Sequence, residues 1–314
     1  MSVCPDLSDD EASRLGESAT QLYRSLRNRL ATGLFLLPDK PEETAAGTLR
    51  ALWHLANGKR FSARAATAQG LAPLDDAGVT ALQGLIERRL AGVPLAHLTE
   101  RQQFLGLEML AGPDALIPRH ETELLANAAI RALTDLLAEQ SQARVLDVCT
   151  GCGNVALALA YRQPAARVYA ADLSPQAVAL ARQNVQFLGL DARVELRTGD
   201  LLAPFESEEF FGNVDLLTCN PPYISTKKLE TMPREITHYE PQLAFDGGPL
   251  GVRILQRLVR EAPRFLRPGG WLVFEVGLGQ GQAVRNRLKA SGRYNSVAEV
   301  ADGNGDIRVL VARV

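Results

Sequence analysis

From Arg144 onward, apolar runs of strand length alternate with stripes of helical spacing, and this alternation narrows the possible folds more than any other feature. Arg144–Val148, Arg167–Ala171, Arg193–Leu196, Val214–Cys219 and Trp271–Val276 read as strands. Asn154–Tyr161, Pro175–Leu188, Leu250–Phe265 and Gln280–Lys289 read as helices among them. Strands separated by helices predict a mostly parallel sheet. Two last strands, Tyr294–Val300 and Ile307–Ala312, flank Asp302-Gly303-Asn304-Gly305-Asp306 and read as a hairpin, so that edge is expected to be antiparallel. The fold expected is α/β: a seven-stranded, Rossmann-like sheet with an antiparallel last hairpin.

The first part of the chain has another texture. Leu22–Leu30, Thr48–Leu55 and the series Val79, Leu82, Leu85, Ile86, Leu90 carry helical stripes, with Glu87, Arg88 and Arg89 on the opposite face of the last. Asp75 and Asp76 suit a helix cap, Gly92 and Pro94 close the segment, and Pro38-Asp39-Lys40-Pro41 separates helices. Residues 1–93 therefore form an expected N-terminal helical domain. Phe104–Leu110 and Ala115–Ile117, joined by Gly112-Pro113-Asp114, read as a connecting hairpin over 94–118. Residues 119–314 then hold the sheet, opening on a helix from Pro118-Arg119-His120-Glu121-Thr122-Glu123 to about Leu137.

With 314 residues, 46% of them hydrophobic, the chain can bury a sizeable core. A net charge of −2 and a pI near 6.2 argue against a dedicated nucleic-acid binder. No apolar run spans a bilayer and the polar, acidic start lacks a signal-peptide pattern, so no membrane role and a cytoplasmic location are expected. Four cysteines in such a chain are expected to be reduced.

The chemistry concentrates at strand ends. Val145–Asn154 is a strand, a glycine-containing loop (Cys149-Thr150-Gly151-Cys152-Gly153) and a helix start, and Asp172-Leu173 ends the next strand. An acid at that place can bind a ribose. The loop lacks both the third glycine of a dinucleotide site and the lysine of a phosphate loop. An adenosine ligand without a pyrophosphate suits it, and S-adenosylmethionine is one, its sulfonium favouring acids such as Asp147. Asp200 and Leu201 are placed to frame the adenine. After the fourth strand comes Asn220-Pro221-Pro222-Tyr223. Two prolines stop the strand ladder and stiffen a turn that presents an amide, the Pro221 carbonyl and a ring, which suits gripping a planar nitrogen group.

These pieces resemble the HemK family of protein-(glutamine-N5) methyltransferases, over roughly residues 80–314. The match rests on Pro94–Thr99, Phe104–Leu107, Ile117–Glu123, Asp147–Gly153, Asn220–Tyr223, Tyr239-Glu240-Pro241, Asp246-Gly247-Gly248 and Phe274–Gly277. The resemblance implies a class I methyltransferase that uses S-adenosylmethionine, releases S-adenosylhomocysteine and acts on a protein, with the N-terminal domain docking the substrate. Release factors are the favoured substrate. Cys149, in place of a usual glycine, resembles the ribosomal protein L3 branch, and Asn-Pro-Pro-Tyr is shared with adenine-N6 type nucleic-acid methyltransferases. Under this resemblance Asn220, Pro221 and Tyr223 are catalytic. Asp147, Cys149, Thr150, Gly151, Cys152, Gly153, Asp172, Leu173, Asp200, Leu201 and Asn220 hold the cofactor. Pro222, Arg119 and Glu121 join Asn220, Pro221 and Tyr223 around the substrate.

Blander readings compete. Cys149-x-x-Cys152, even with Cys219, is a weak metal signal, and no metal is expected. Arg119, Glu121 and Glu123 could simply cap and pair at a helix start, and His120 and His238 fall in motif regions without a required role. A cofactor-binding protein without transferase activity is the remaining alternative, set against an intact Asn220–Tyr223.

Overall fold

The computed structural model describes residues 7–36, 39–232 and 234–314; residues 1–6, Leu37, Pro38 and Pro233 lie outside the described residues, and with them the start of the expected break over 38–41. The chain divides into two compact units: Met1–Pro113 with Arg234–Tyr239, and Asp114–Pro233 with Glu240–Val314.

The first unit is helical: α1 (Asp9–Leu15), α2 (Glu17–Gly33), α3 (Ala45–Ala56), α4 (Ala63–Thr67), α5 (Asp76–Leu90) and α6 (Leu95–Thr99). Side-chain caps start most of them. Ser8, Thr44, Ser62 and Asp75 each accept a backbone N–H three residues on, satisfying donors that the helix itself cannot. Their apolar faces meet in a core that includes Tyr23, Leu30, Leu52, Trp53, Leu82 and Ile86. Arg89, expected on the polar face of α5, is instead buried. Its two terminal nitrogens bond Glu43 and Glu235 at 3.0 Å each, and Lys40 joins Glu235 at 3.3 Å. Glu235 comes from a short helix, Arg234–Tyr239, far along the chain.

The hairpin is displaced from the expected place. Its strands are β1 (Arg101–Phe104) and β2 (Leu107–Leu110), paired Phe104↔Leu107. Leu105 and Gly106, read as strand interior, are the turn, both at positive φ (47° and 83°), which matches the twist of a two-residue hairpin. Ala115–Ile117 is not a strand. The hairpin belongs to the helical unit and the division falls after Pro113.

In the second unit α7 (Glu123–Glu139) precedes β3 (Ala143–Val148), α8 (Asn154–Arg162), β4 (Ala166–Asp172), α9 (Pro175–Phe187), β5 (Val194–Thr198) and β6 (Val214–Cys219). After α10 (Thr226–Leu229) and α11 (Arg234–Tyr239, in the first unit) come α12 (Arg253–Glu261), β7 (Leu266–Glu275), α13 (Gly281–Ala290), β8 (Ser296–Ala301) and β9 (Ile307–Arg313). The sheet order is β5-β4-β3-β6-β7-β9-β8, parallel as far as β7 and antiparallel for β9 and β8. On one face Leu146, Val148, Leu217, Cys219, Leu272 and Phe274 share a core with Leu255 and Leu258 of α12 and Leu288 of α13. Alternate residues serve alternate faces, as the pleat requires. The order reverses around β3, so the carboxyl ends of β4, β3 and β6 lie side by side, which is where ligands bind in open α/β sheets.

Candidate active site

One cavity opens at those strand ends. Asp147, Cys149, Thr150 and Gly151 line it from β3, Asp172 and Leu173 from β4, Asp200 and Leu201 from after β5, and Asn220 and Pro222 from after β6. Arg119 and Thr122 from before α7, and Pro241 to Asp246, complete its wall.

The loop after β3 is shaped by its backbone. Cys149, Gly151 and Gly153 all have positive φ (59°, 56° and 88°), which folds the chain tightly between strand and helix. Asp172 locks it: one carboxylate oxygen accepts from Gly151 N–H at 2.8 Å and the other from Ser174 N–H at 2.9 Å. Asp147 is 1% exposed and accepts from the hydroxyls of Thr150 (2.6 Å) and Thr218 (2.7 Å). Burial pushes the Asp147 carboxyl up to about 6, the two hydroxyls pull it back and Asp172 adds repulsion. Burial also raises Asp172, against three backbone N–H groups that favour its charge. Two carboxylates that burial discourages from ionising favour a cation beside them. Apolar walls complete the fit: Leu173, 51% exposed, and the buried Leu201 with Ile254 offer surfaces for a flat ring. Asp200 is held at the rim by Arg257 Nη1, at 3.0 and 2.9 Å from its two oxygens.

Asn220 follows β6. Its side-chain nitrogen donates to Thr122 Oγ1 at 3.2 Å, which commits the nitrogen and leaves the carboxamide oxygen as the acceptor for a ligand. Pro221 is buried and Tyr223 half-buried, and neither lines the cavity. Tyr223 is fixed on three sides. Its hydroxyl donates to Glu275 Oε1 at 2.7 Å, its carbonyl accepts from Gln280 Nε2 at 3.0 Å, and Gly277 leaves room for the ring edge, where a Cβ would come to 3.0 Å.

Cys152 and Gly153 also stand apart from the cavity. Cys152 is buried, its thiol pushed up to about 12 by desolvation, and Asn184 Nδ2 donates to its carbonyl at 3.1 Å. Gly153 is the N-cap of α8, where a Cβ would come to 3.1 Å from Leu157. Both shape the loop from behind. Glu121 pairs with Arg308 at 2.7 Å, outside the cavity wall. His120 pairs with Glu123, and neither it nor His238 lines the wall. Among the described residues no cluster of three or more His, Cys, Asp or Glu could hold a metal ion.

Sequence reasoning missed Thr122, Glu240, Glu275, Gln280 and Arg308. Arg119 reaches Glu240 Oε1 at 2.5 Å, and Glu240 Oε2 accepts from Ile117 N–H at 2.9 Å, so a buried ion pair joins two segments of the wall. The signal for these residues lay in stretches already noted, Ile117–Glu123, Tyr239–Pro241 and Phe274–Gly277, but nothing local assigns them partners so far along the chain.

A seven-stranded sheet of this order, with acids and an Asn-Pro-Pro-Tyr turn gathered at its switch point, defines a Rossmann-like methyltransferase. The model of a family described as "Methyltransferase small domain" matches residues 126–252. A release factor glutamine methyltransferase of Moorella thermoacetica is 41% identical over 72% of this chain and 77% of its own length. One from Geobacter sulfurreducens is 38% identical over 77% of this chain and 81% of its own. The chain belongs to the release factor glutamine methyltransferase family. Among solved structures, the catalytic domain of human METTL16 in complex with an RNA hairpin superposes with a TM-score of 0.51 at 17% identity, covering 73% of this chain and 81% of that one, a likeness of fold. The chain is an S-adenosylmethionine-dependent methyltransferase.

Proposed function

We propose that this protein methylates the side-chain nitrogen of a glutamine in a peptide-chain release factor. Family membership supports the substrate, and the observation that carries the chemistry is the Asn220 carboxamide, anchored by Thr122 in the same cavity as Asp147 and Asp172.

S-adenosylmethionine, when bound, supplies an electrophilic methyl group on a sulfonium. In this reading Asp172 takes the ribose hydroxyls, Asp147 the charge of the sulfonium end, and Leu173 with Leu201 the adenine; all four line the cavity. A glutamine amide nitrogen is a weak nucleophile because its lone pair is delocalised into the carbonyl. In this reading the Asn220 oxygen, which lines the cavity, accepts one of its hydrogens and the Pro221 carbonyl the other, with Pro221 itself standing outside the wall. Both bonds strengthen as the nitrogen gains positive charge, so the transition state is bound more tightly than the substrate. Pro222 and Arg119 shape the space around the amide, and Tyr223 and Glu121 act from behind the wall. Holding the nitrogen in line with the methyl carbon is worth about 7–11 kcal/mol. The N–C bond forms as the C–S bond breaks, the bond pair goes to sulfur, and the nitrogen's extra proton leaves to water.

The test is to incubate the protein with methyl-labelled cofactor and, separately, purified release factors, ribosomal protein L3, RNA and DNA, then map the labelled peptide by mass. One methyl on a release-factor glutamine is expected. Label on L3 or nucleic acid instead overturns the substrate assignment, and label on nothing overturns the activity.

A further inference from the structure

Behind Asn220 and Tyr223 lies a buried polar cluster with no place yet in the chemistry. Glu275, 1% exposed, ends β7. Its Oε1 accepts from the Tyr223 hydroxyl at 2.7 Å and lies 3.7 Å from Arg308 Nη2, while Oε2 has no hydrogen-bond partner among the described residues. Arg308, from β9, is 5% exposed and is held at 2.7 Å by Glu121. Tyr223, the last residue of the turn, is thus tied directly to a buried acid, while Asn220, the first, is held separately by the Thr122 hydroxyl.

We propose that Glu275, through the Tyr223 hydroxyl, is the positioning residue that sets the end of the Asn-Pro-Pro-Tyr turn for methyl transfer. This rests on the reading of Asn220 and Tyr223 given above. It explains why a buried carboxylate is kept where an apolar side chain would be cheaper to desolvate. Prolines stiffen the middle of the turn but leave the rotamers of its first and last residues unset. Thr122 sets the first rotamer and Glu275 the last. Arg308 supplies the countercharge; Glu121 faces both members of the pair, and Asp302 faces Arg308. Burial, followed by the repulsion of Glu121, pushes the Glu275 carboxyl up to about 7. Protonation therefore weakens the hold on Tyr223 within the working pH range.

The test uses the full chain and the acceptor identified by labelling, so that a wrong substrate assignment shows in the wild type and leaves this comparison intact. Glu275→Gln keeps the shape and removes the charge. Its kcat is expected to fall about 10- to 100-fold, as a slightly misplaced group costs, with the calorimetric Kd for S-adenosylmethionine unchanged. Wild-type kcat should fall below about pH 7 toward the variant's level, and the variant should be flat there. Tyr223→Phe, which removes only the hydroxyl that Glu275 holds, should lose kcat by a similar factor and lose the fall below pH 7, with cofactor binding intact. This second variant decides the matter if Glu275→Gln does not fold. A Glu275→Gln protein with wild-type kcat from pH 6 to 9, or a Tyr223→Phe protein with wild-type kcat and pH profile, overturns the proposal.

Discussion

Asn220 and Asp147 occupy the same cavity but answer to different measurements. Asn220→Ala removes the acceptor that strengthens as charge develops, together with the bond to Thr122, so kcat should drop about 10²–10³-fold while calorimetry still shows S-adenosylmethionine binding. An active variant would remove the amide from the mechanism. Asp147 bears on binding. Its folded-state pKa near 6, set first by burial, means the carboxyl is neutral below that pH and charged above it. The sulfonium favours the charged form, so the cofactor must displace a proton at low pH. Affinity for S-adenosylmethionine should therefore weaken below pH 6, by at most about tenfold per pH unit. S-adenosylhomocysteine, lacking the positive sulfur, should change less. Titrations at pH 5 to 8 check this, and an Asp147→Asn protein with the wild-type pH slope would place the effect elsewhere.

At the scale of elements, two turns are pressed against one another. A Cβ on Gly247 would come to 2.7 Å from the Pro222 carbonyl oxygen, and one on Gly251, at φ +68°, to 2.3 Å from that of Tyr223. Gly248 also has positive φ (85°), but a Cβ there would meet nothing closer than 3.6 Å. Gly248→Ala should thus cost only backbone strain, about 1–2 kcal/mol, with kcat kept. Gly251→Ala should pay the same strain and also shift the turn, losing kcat by tens of fold or more. Equal kcat in the two variants would show that the contact does not set the turn. Such contacts explain which parts of the site were legible beforehand. The acids and Asn220 are legible because strand, loop and proline pair are contiguous, and Val214–Cys219 reads to its ends as a mainly apolar run closed by the proline pair. The close approach of Gly251 to Tyr223 joins residues 28 positions apart, and the Arg119–Glu240 pair spans 121, so no local pattern announces them. α6 and α11, of five and six residues, are too short to show a helical period. The hairpin was misplaced because Leu105 looks like a strand residue, and its positive φ is imposed by pairing on both sides.

For the whole molecule, the buried acids give stability an unusual slope with pH. Glu43 in the helical unit and Asp147, Asp172 and Glu275 in the sheet unit all have carboxyls raised by burial, to about 6 for Asp147 and about 7 for Glu275. A raised acid binds its proton more tightly folded than unfolded. Its contribution is complete below the unfolded pKa and is lost as pH rises through the folded one. For Asp147 that window runs from about 4 to 6 and for Glu275 from about 4.5 to 7, and each amounts to about 3 kcal/mol as an order of magnitude. Glu11, lowered by Arg50, works the other way, but it is one group near the surface against four buried ones. The melting temperature of the cofactor-free protein should therefore be higher at pH 5 than at pH 7.5. Asp147→Asn and Glu275→Gln should each flatten the decline, since a neutral amide has no proton to lose. S-adenosylmethionine should raise the melting temperature more at pH 7.5 than at pH 5, because its positive charge offsets the repulsion at Asp147 and Asp172 where that repulsion is greatest. A melting temperature that climbs from pH 5 to 7.5, with the same slope in both variants, would mean that water or relaxation keeps these carboxylates ionised despite their burial, and the cavity would then hold no electrostatic preference for a cation.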